Sequence, residues 1–210
     1  MTCFNSDISP KEVNEAIHHL KANKAAGHDG IIPEVYKYAC DKIIPFLVQL
    51  LNTIFTSGEY PEAWTETIIQ PLHRKGSIHE PDNYRGISLL NVCSKLYSHI
   101  INKRLSRWAE DHDVLGDIQA GFREDHSTIN HIFTLFSMIQ RQLLRNQKLY
   151  VAFIDFRKAF DFIAHDNLWP ILSRTGIKGK MLQTIQSMCR IVKARAVSYT
   201  HLTLPTTFTV

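Results

Sequence analysis

No run of apolar residues in this chain reaches the roughly 20 needed to cross a bilayer, so no membrane-spanning role is expected. No charged-then-apolar leader opens it, so secretion is not expected either. The expected location is intracellular, cytoplasm and nucleus. Cysteine is scarce: Cys3, Cys40, Cys93 and Cys189 are too dispersed for a zinc cluster or a disulfide framework. They read as free thiols in a reducing compartment. Histidine is not scarce, but His18, His19, His126 and His131 lack Cys or carboxylate neighbours at ligand spacing, so no histidine metal site is expected. No internal repeat is visible. Acid is missing from the far end: after Asp166 there is neither Asp nor Glu.

What is present is enough residues for one or two domains with a real core, and a net charge of +4 that leans mildly toward anionic partners. Ser9, Pro10 and Glu12 spell a capped helix start, with Val13, Ala16, Ile17 and Leu20 on one face. "KAAGHDGIIPE" (24–34) is a loop. Helical segments follow from about Pro33 to Phe55, with a break or kink expected at Pro45 and a stop at Gly58. Residues 64–74 and 83–90 read as two strands of a hairpin, with the basic turn "HRKG" (73–76) at its tip. Residues 92–109 and 127–145 read as helices. The first carries Lys95, Lys103, Arg104 and Arg107, facing either nucleic-acid phosphates or plain solvent. The second has Ile129, Ile132, Phe133, Phe136, Ile139 and Leu143 as a stripe expected in the core. Val151 to Ile154 read as a buried strand ending in Asp155, and helices are expected at about 165–174 and 178–192. A carboxylate beside a dry core costs several kcal/mol in order of magnitude unless it is paired. Asp155 is therefore either half of a structural pair with Asp161 nearby or a ligand for a hard cation such as Mg²⁺.

Several blocks in order resemble the reverse transcriptase domain of non-LTR (LINE-type) retrotransposons, and more loosely group II intron reverse transcriptases. They are "KAAGHDGIIPEVYK", with His28 where that family usually has Pro, then "WTETIIQPLHRKG", "NYRGISLLNVCSKLYSHIINKRL", "DIQAGFREDHST" and "FIDFRKAFDFIAHDNLW". The resemblance runs over nearly all of residues 10–196. It implies an α+β fold: the helix-rich fingers and partial palm of a right-hand polymerase. It divides the chain into 1–147, an N-terminal extension and fingers, and 148–196, a partial palm.

The same resemblance implies RNA-directed DNA synthesis, a nucleotidyl transfer with an RNA template, a DNA primer, a deoxynucleoside triphosphate and Mg²⁺. Asp155 matches the palm aspartate of the two-ion site, and Phe156 would offer its carbonyl to the nucleotide's metal. Arg85 matches the fingers arginine on the triphosphate, with Arg74 and Lys75 as its basic neighbours. Phe160 matches the aromatic under the sugar that disfavours a 2′-hydroxyl, with a plain core aromatic as the alternative. Gln119, Gly121, Phe122 and Arg123 match a block beside nucleotide and template, with a structural salt bridge as the alternative for Arg123. The family's acidic pair does not follow Asp161 in these residues. The expectation is thus a fragment inactive by itself. A non-catalytic nucleic-acid-binding fragment and a decayed, mis-assembled gene product are the alternatives. The Thr-rich stretch from Val197 on resembles the in-frame translation of a sequencing adaptor, so 197–210 is expected to be a non-native tail. The other reading is an ordinary edge strand.

Overall fold

The structure is a computed structural model that describes residues 3–156, 159–160, 162–190, 193–196 and 207–209. It is α+β: seven α-helices and a four-stranded sheet among the described residues. None of the described helices is long and apolar enough to cross a membrane. The chain divides into two compact units, Met1–Arg104 with Leu172–Val210, and Leu105–Ile171.

The first unit holds the core. α1 (Pro10–His19) begins as its sequence dictates. Ser9 Oγ accepts from the Glu12 N–H, Glu12 Oε2 accepts from the Ser9 N–H at 2.8 Å, and Val13, Ala16 and Ile17 are buried. α2 (Pro33–Tyr38) and α3 (Cys40–Ser57) part at Ala39, not at Pro45. Pro45 lies one turn into α3 and removes one hydrogen bond, while Leu47, Leu51, Ile54 and Phe55 hold the rest of the helix in the core. Gly58 ends α3 in the left-handed region, at φ 71°, which an L side chain rarely adopts. From α4 (Val92–Asp111), Val92, Leu96, Tyr97, Ile100 and Ile101 complete the same core. α7 (Lys180–Arg190) adds Met181 and Thr184.

Residues ahead of α1 are stitched into this core by polar groups. Asn52 Nδ2 donates to Ile8 O at 2.9 Å, and Asn52 Oδ1 accepts from the Ile8 N–H at 2.6 Å. Asn5 Oδ1 accepts the Met181 N–H at 3.0 Å, capping α7 from across the sequence. Arg104, 8% exposed, donates to Ser6 O and Asp7 O and forks onto both Glu12 oxygens, at 2.5 and 2.8 Å. It also lies over the Phe55 ring.

The sheet has strand order β2-β1-β3-β4. β1 (Glu66–His73) and β2 (Tyr84–Leu89) form the antiparallel hairpin read from the sequence, with Leu72 opposite Arg85 and Pro71 opposite Gly86. β3 (Lys193–Ala196) pairs parallel with Glu66–Ile69, and among the described residues no strand lies on that side of Pro71, where a missing N–H is tolerated. β4 (Thr207–Thr209) pairs antiparallel with Lys193–Arg195; the rest of the expected tail lies outside the described residues.

The second unit departs from expectation. Residues 151–156 have no strand pairing, and Val151, Phe153, Ile154 and Phe156 are exposed. A strand exists only through a neighbour's backbone, and no described segment offers an edge here. The apolar stripe of α5 (Thr128–Leu144) is likewise exposed, from 37% at Ile139 to 72% at Ile129. Only Trp108 and Ala120 are buried among the described residues of this unit. α6 (His165–Thr175) carries Pro170 inside it.

Candidate nucleic-acid and nucleotide site

The hairpin tip is the best-built part of the expected site. Burial falls along β1 from Thr67, 4% exposed at the base, to the open end at His73. The tip is closed by side chains. Asn83 Nδ2 donates to Ser77 O at 2.9 Å, Tyr84 Oη donates to Ile78 O at 2.8 Å, and the Arg74 N–H donates to Asn83 O at 2.9 Å. The His73 and Tyr84 rings meet across the pair at 5.2 Å. On this frame Arg74, Lys75 and Arg85 are exposed. Arg85 shares a face of the hairpin with Leu72, and continuing the register through the Arg74–Asn83 bond puts Arg74 on that face too. None of the three cations has a carboxylate partner among the described residues.

The helical cations are employed differently. Lys103 pairs with Glu15 at 2.6 Å, and Arg104 is spent on Glu12 and the N-terminal carbonyls. Lys95 is half-buried, and burial pulls its ammonium below the usual lysine range with Asp29 opposing. His28 pairs with Glu66 at 3.1 Å. Of the four basic positions on α4, Arg107 is the one left exposed with no partner among the described residues.

In the second unit, Arg123 forks onto Glu110, with Nε to Oε1 at 2.9 Å and Nη2 to Oε2 at 2.7 Å. Its Nη1 donates to Gly116 O at 3.1 Å and Gln119 O at 3.2 Å. The guanidinium holds the Glu110 carboxyl below the usual carboxylate range, and the carboxylate raises Arg123 in turn. Four of the five N–H donors of Arg123 are engaged in this way, which leaves one Nη2–H for a phosphate. Gln119 Nε2 donates to Gly121 O at 3.1 Å. Phe122 sits at φ 63° and meets the Phe160 ring edge-on, with centroids 5.9 Å apart and planes at 81°. Nothing in the sequence marked Glu110. It lies 13 residues before Arg123, outside any helical or strand spacing, and only the loop geometry reveals it.

Asp155 and Phe156 lie exposed in the unpaired segment, and Asp161 lies outside the described residues. No group of three His, Cys, Asp or Glu side chains that could hold a metal occurs among the described residues. A divalent ion that wants six oxygens finds one carboxylate here, so the described residues do not by themselves fit it. Arg85 belongs to one compact unit and Asp155 to the other.

Comparison with known proteins gives the family. Residues 73–206, beginning at the last residue of β1, match the family described as reverse transcriptase (RNA-dependent DNA polymerase). The chain is 33% identical over 162 residues to the probable RNA-directed DNA polymerase from transposon BS of Drosophila melanogaster, covering 77% of this chain and 18% of that protein. It is 31% identical over 169 residues to the corresponding protein from transposon X-element of the same fly, covering 80% and 19%. It is 27% identical over 164 residues to the RNA-directed DNA polymerase from mobile element jockey, covering 78% and 18%. The chain spans under a fifth of the length of these relatives.

Proposed function

The chain belongs to the reverse transcriptase family, among those of non-LTR retrotransposons, and we propose that it supplies an N-terminal extension and the fingers (1–147) and part of the palm (148–196) for RNA-templated DNA synthesis. The observation that carries this reading is the hairpin. Arg74, Lys75 and Arg85 stand exposed, with no carboxylate partner among the described residues, on a tip held rigid by Asn83 and Tyr84.

The partners are an RNA template, a DNA primer and a deoxynucleoside triphosphate. Arg85, a planar multi-donor cation, holds the triphosphate, and Arg74 and Lys75 add to the charge that neutralises it. Gln119 and Arg123 shape the loop beside nucleotide and template. Phe160 lies under the sugar and disfavours a 2′-hydroxyl. Asp155, with the Phe156 carbonyl, is the share of a Mg²⁺ site that these residues contribute. The reaction is attack of a primer 3′-hydroxyl on the α-phosphate, with pyrophosphate leaving. Location is cytoplasm and nucleus, and residues 197–210 are a non-native tail. A second reading, a non-catalytic nucleic-acid-binding fragment, draws on the lack of a three-ligand group among the described residues and of any acid after Asp166.

The test is binding and extension of an RNA template–DNA primer. The 210-residue chain should bind with Kd of about 1 μM or weaker, falling steeply with salt, because phosphate contacts release counterions. It should not extend the primer. Joined to a complete palm it should extend, and Asp155→Asn should then cut synthesis by about a hundredfold or more while sparing binding. Extension that survives Asp155→Asn overturns the assignment of Asp155. Binding without extension in the joined protein favours the binding-fragment reading. Neither binding nor extension leaves a decayed product.

A further inference from the structure

We infer that Glu110 is a positioning residue for sugar selection: through Arg123 it fixes the loop that sets Phe122 edge-on against Phe160. The inference rests on the reading of Phe160 as the residue under the sugar, and deepens it. An exposed aromatic ring can exclude a 2′-hydroxyl only while it is kept from turning aside. Phe160 is 73% exposed, and among the described residues its one ring contact is Phe122. Phe122 is itself 93% exposed and cannot be held by burial. It is held by its backbone, at φ 63°, a region that non-glycine residues enter only where the surroundings impose it.

The imposing element is next door. Arg123 makes four hydrogen bonds, two to Glu110 and two to the carbonyls of Gly116 and Gln119, and its side chain is 10% exposed. The Glu110 pair sets the plane of the guanidinium. The remaining nitrogen then gathers both ends of the 116–119 turn, where the Gln119 N–H also donates to Gly116 O at 2.9 Å. Glu110 lies in the last turn of α4, so the loop is referred to a helix rather than to another loop. Removing the carboxylate leaves the two carbonyl bonds without the fork that orients them. Phe122 is then free to relax out of the left-handed region and away from Phe160.

The measurement is the ratio of deoxyribonucleotide to ribonucleotide incorporation in the full-length polymerase carrying these residues. Phe160→Val sets the scale and should lower the ratio about tenfold or more. Glu110→Gln and Phe122→Ala should each lower it about threefold or more, and Glu110→Asp, which keeps the charge, should recover part of the loss. A Phe160→Val protein with an undiminished ratio overturns the reading of Phe160 and this inference with it. A diminished ratio there, with Glu110→Gln and Phe122→Ala unchanged, overturns the inference alone. A second readout needs no turnover. In the 210-residue chain the nuclear Overhauser contact between the Phe122 and Phe160 rings should be present, lost in Glu110→Gln and retained in Glu110→Asp. Its absence from the wild type, or its survival in Glu110→Gln, overturns the inference whether or not any polymerase variant is active.

Discussion

Arg104 and Arg85 are the same residue type put to opposite uses. Arg85 is exposed and without a carboxylate partner among the described residues. Arg104 is buried, and its donors meet Glu12 and the carbonyls that precede α1. Sequence alone left Arg104 between a phosphate contact and a solvated face. Its actual partner lies 92 residues away, at a distance no local pattern reports. The same fork makes Glu12 a stability group. Burial raises its carboxyl, but Arg104, the Ser9 N–H and the Ser9 hydroxyl outweigh it and bring the group to about 2. A carboxyl lowered by folding contributes stability above its unfolded value. That contribution is lost as pH falls through the folded one. Unfolding free energy should therefore drop between about pH 4.5 and pH 2, and Glu12→Gln should flatten that part of the curve. At neutral pH the same substitution should cost on the order of 3 kcal/mol, because it leaves a buried guanidinium unpaired. Denaturant melts of both proteins across this range check both claims. An equally steep acid limb in Glu12→Gln would remove Glu12 from the account.

At the scale of elements, what was legible was what is local. The capping box of α1, the αL stop at Gly58 and the β1–β2 hairpin each follow from residues a few positions apart. The unpaired segment at 151–156 shows the converse. Its apolar run has the composition of a strand, but pairing is decided by whichever edge is offered, and none is offered among the described residues. β3 failed in the other direction. "KARA" carries no strand signal, yet it lies parallel to β1 in register with Glu66–Ile69, with Lys193 on Glu62 at 2.6 Å as its anchor. Of the site, the hairpin cations were legible from their turn, whereas the brace on Arg123 was not, since Glu110 has no spacing to betray it. β4 is a three-residue edge on that short strand. Ending the chain at Ala196 should therefore shift unfolding free energy by no more than about 1 kcal/mol, as for other changes that remove few buried contacts. A loss of several kcal/mol on truncation would make residues 197–210 part of the fold.

At the scale of the whole molecule the two units differ in how they are held. The first buries aromatic and aliphatic side chains from α1, α3, α4 and α7, with Tyr60 on Ser94 and Tyr97 on Thr184 satisfied inside it. The second keeps two buried residues among those described, and its free energy of local opening should be correspondingly low. Limited trypsin treatment should thus cut first at Arg141, Arg145 or Lys148, all exposed, and leave the first unit's pieces associated. First cuts within residues 10–57 would reverse that ordering. The cap that Asn5 places on Met181 carries a consequence for synthesis. The two residues are 176 apart in sequence. At about 5–20 residues per second, the segment ahead of α1 leaves the ribosome about 10–35 s before its partner exists. Through that interval Phe4, Ile8 and the faces of α3 and α4 that meet α7 stay open to water. Until α7 arrives, those apolar side chains are surface that a chaperone can hold.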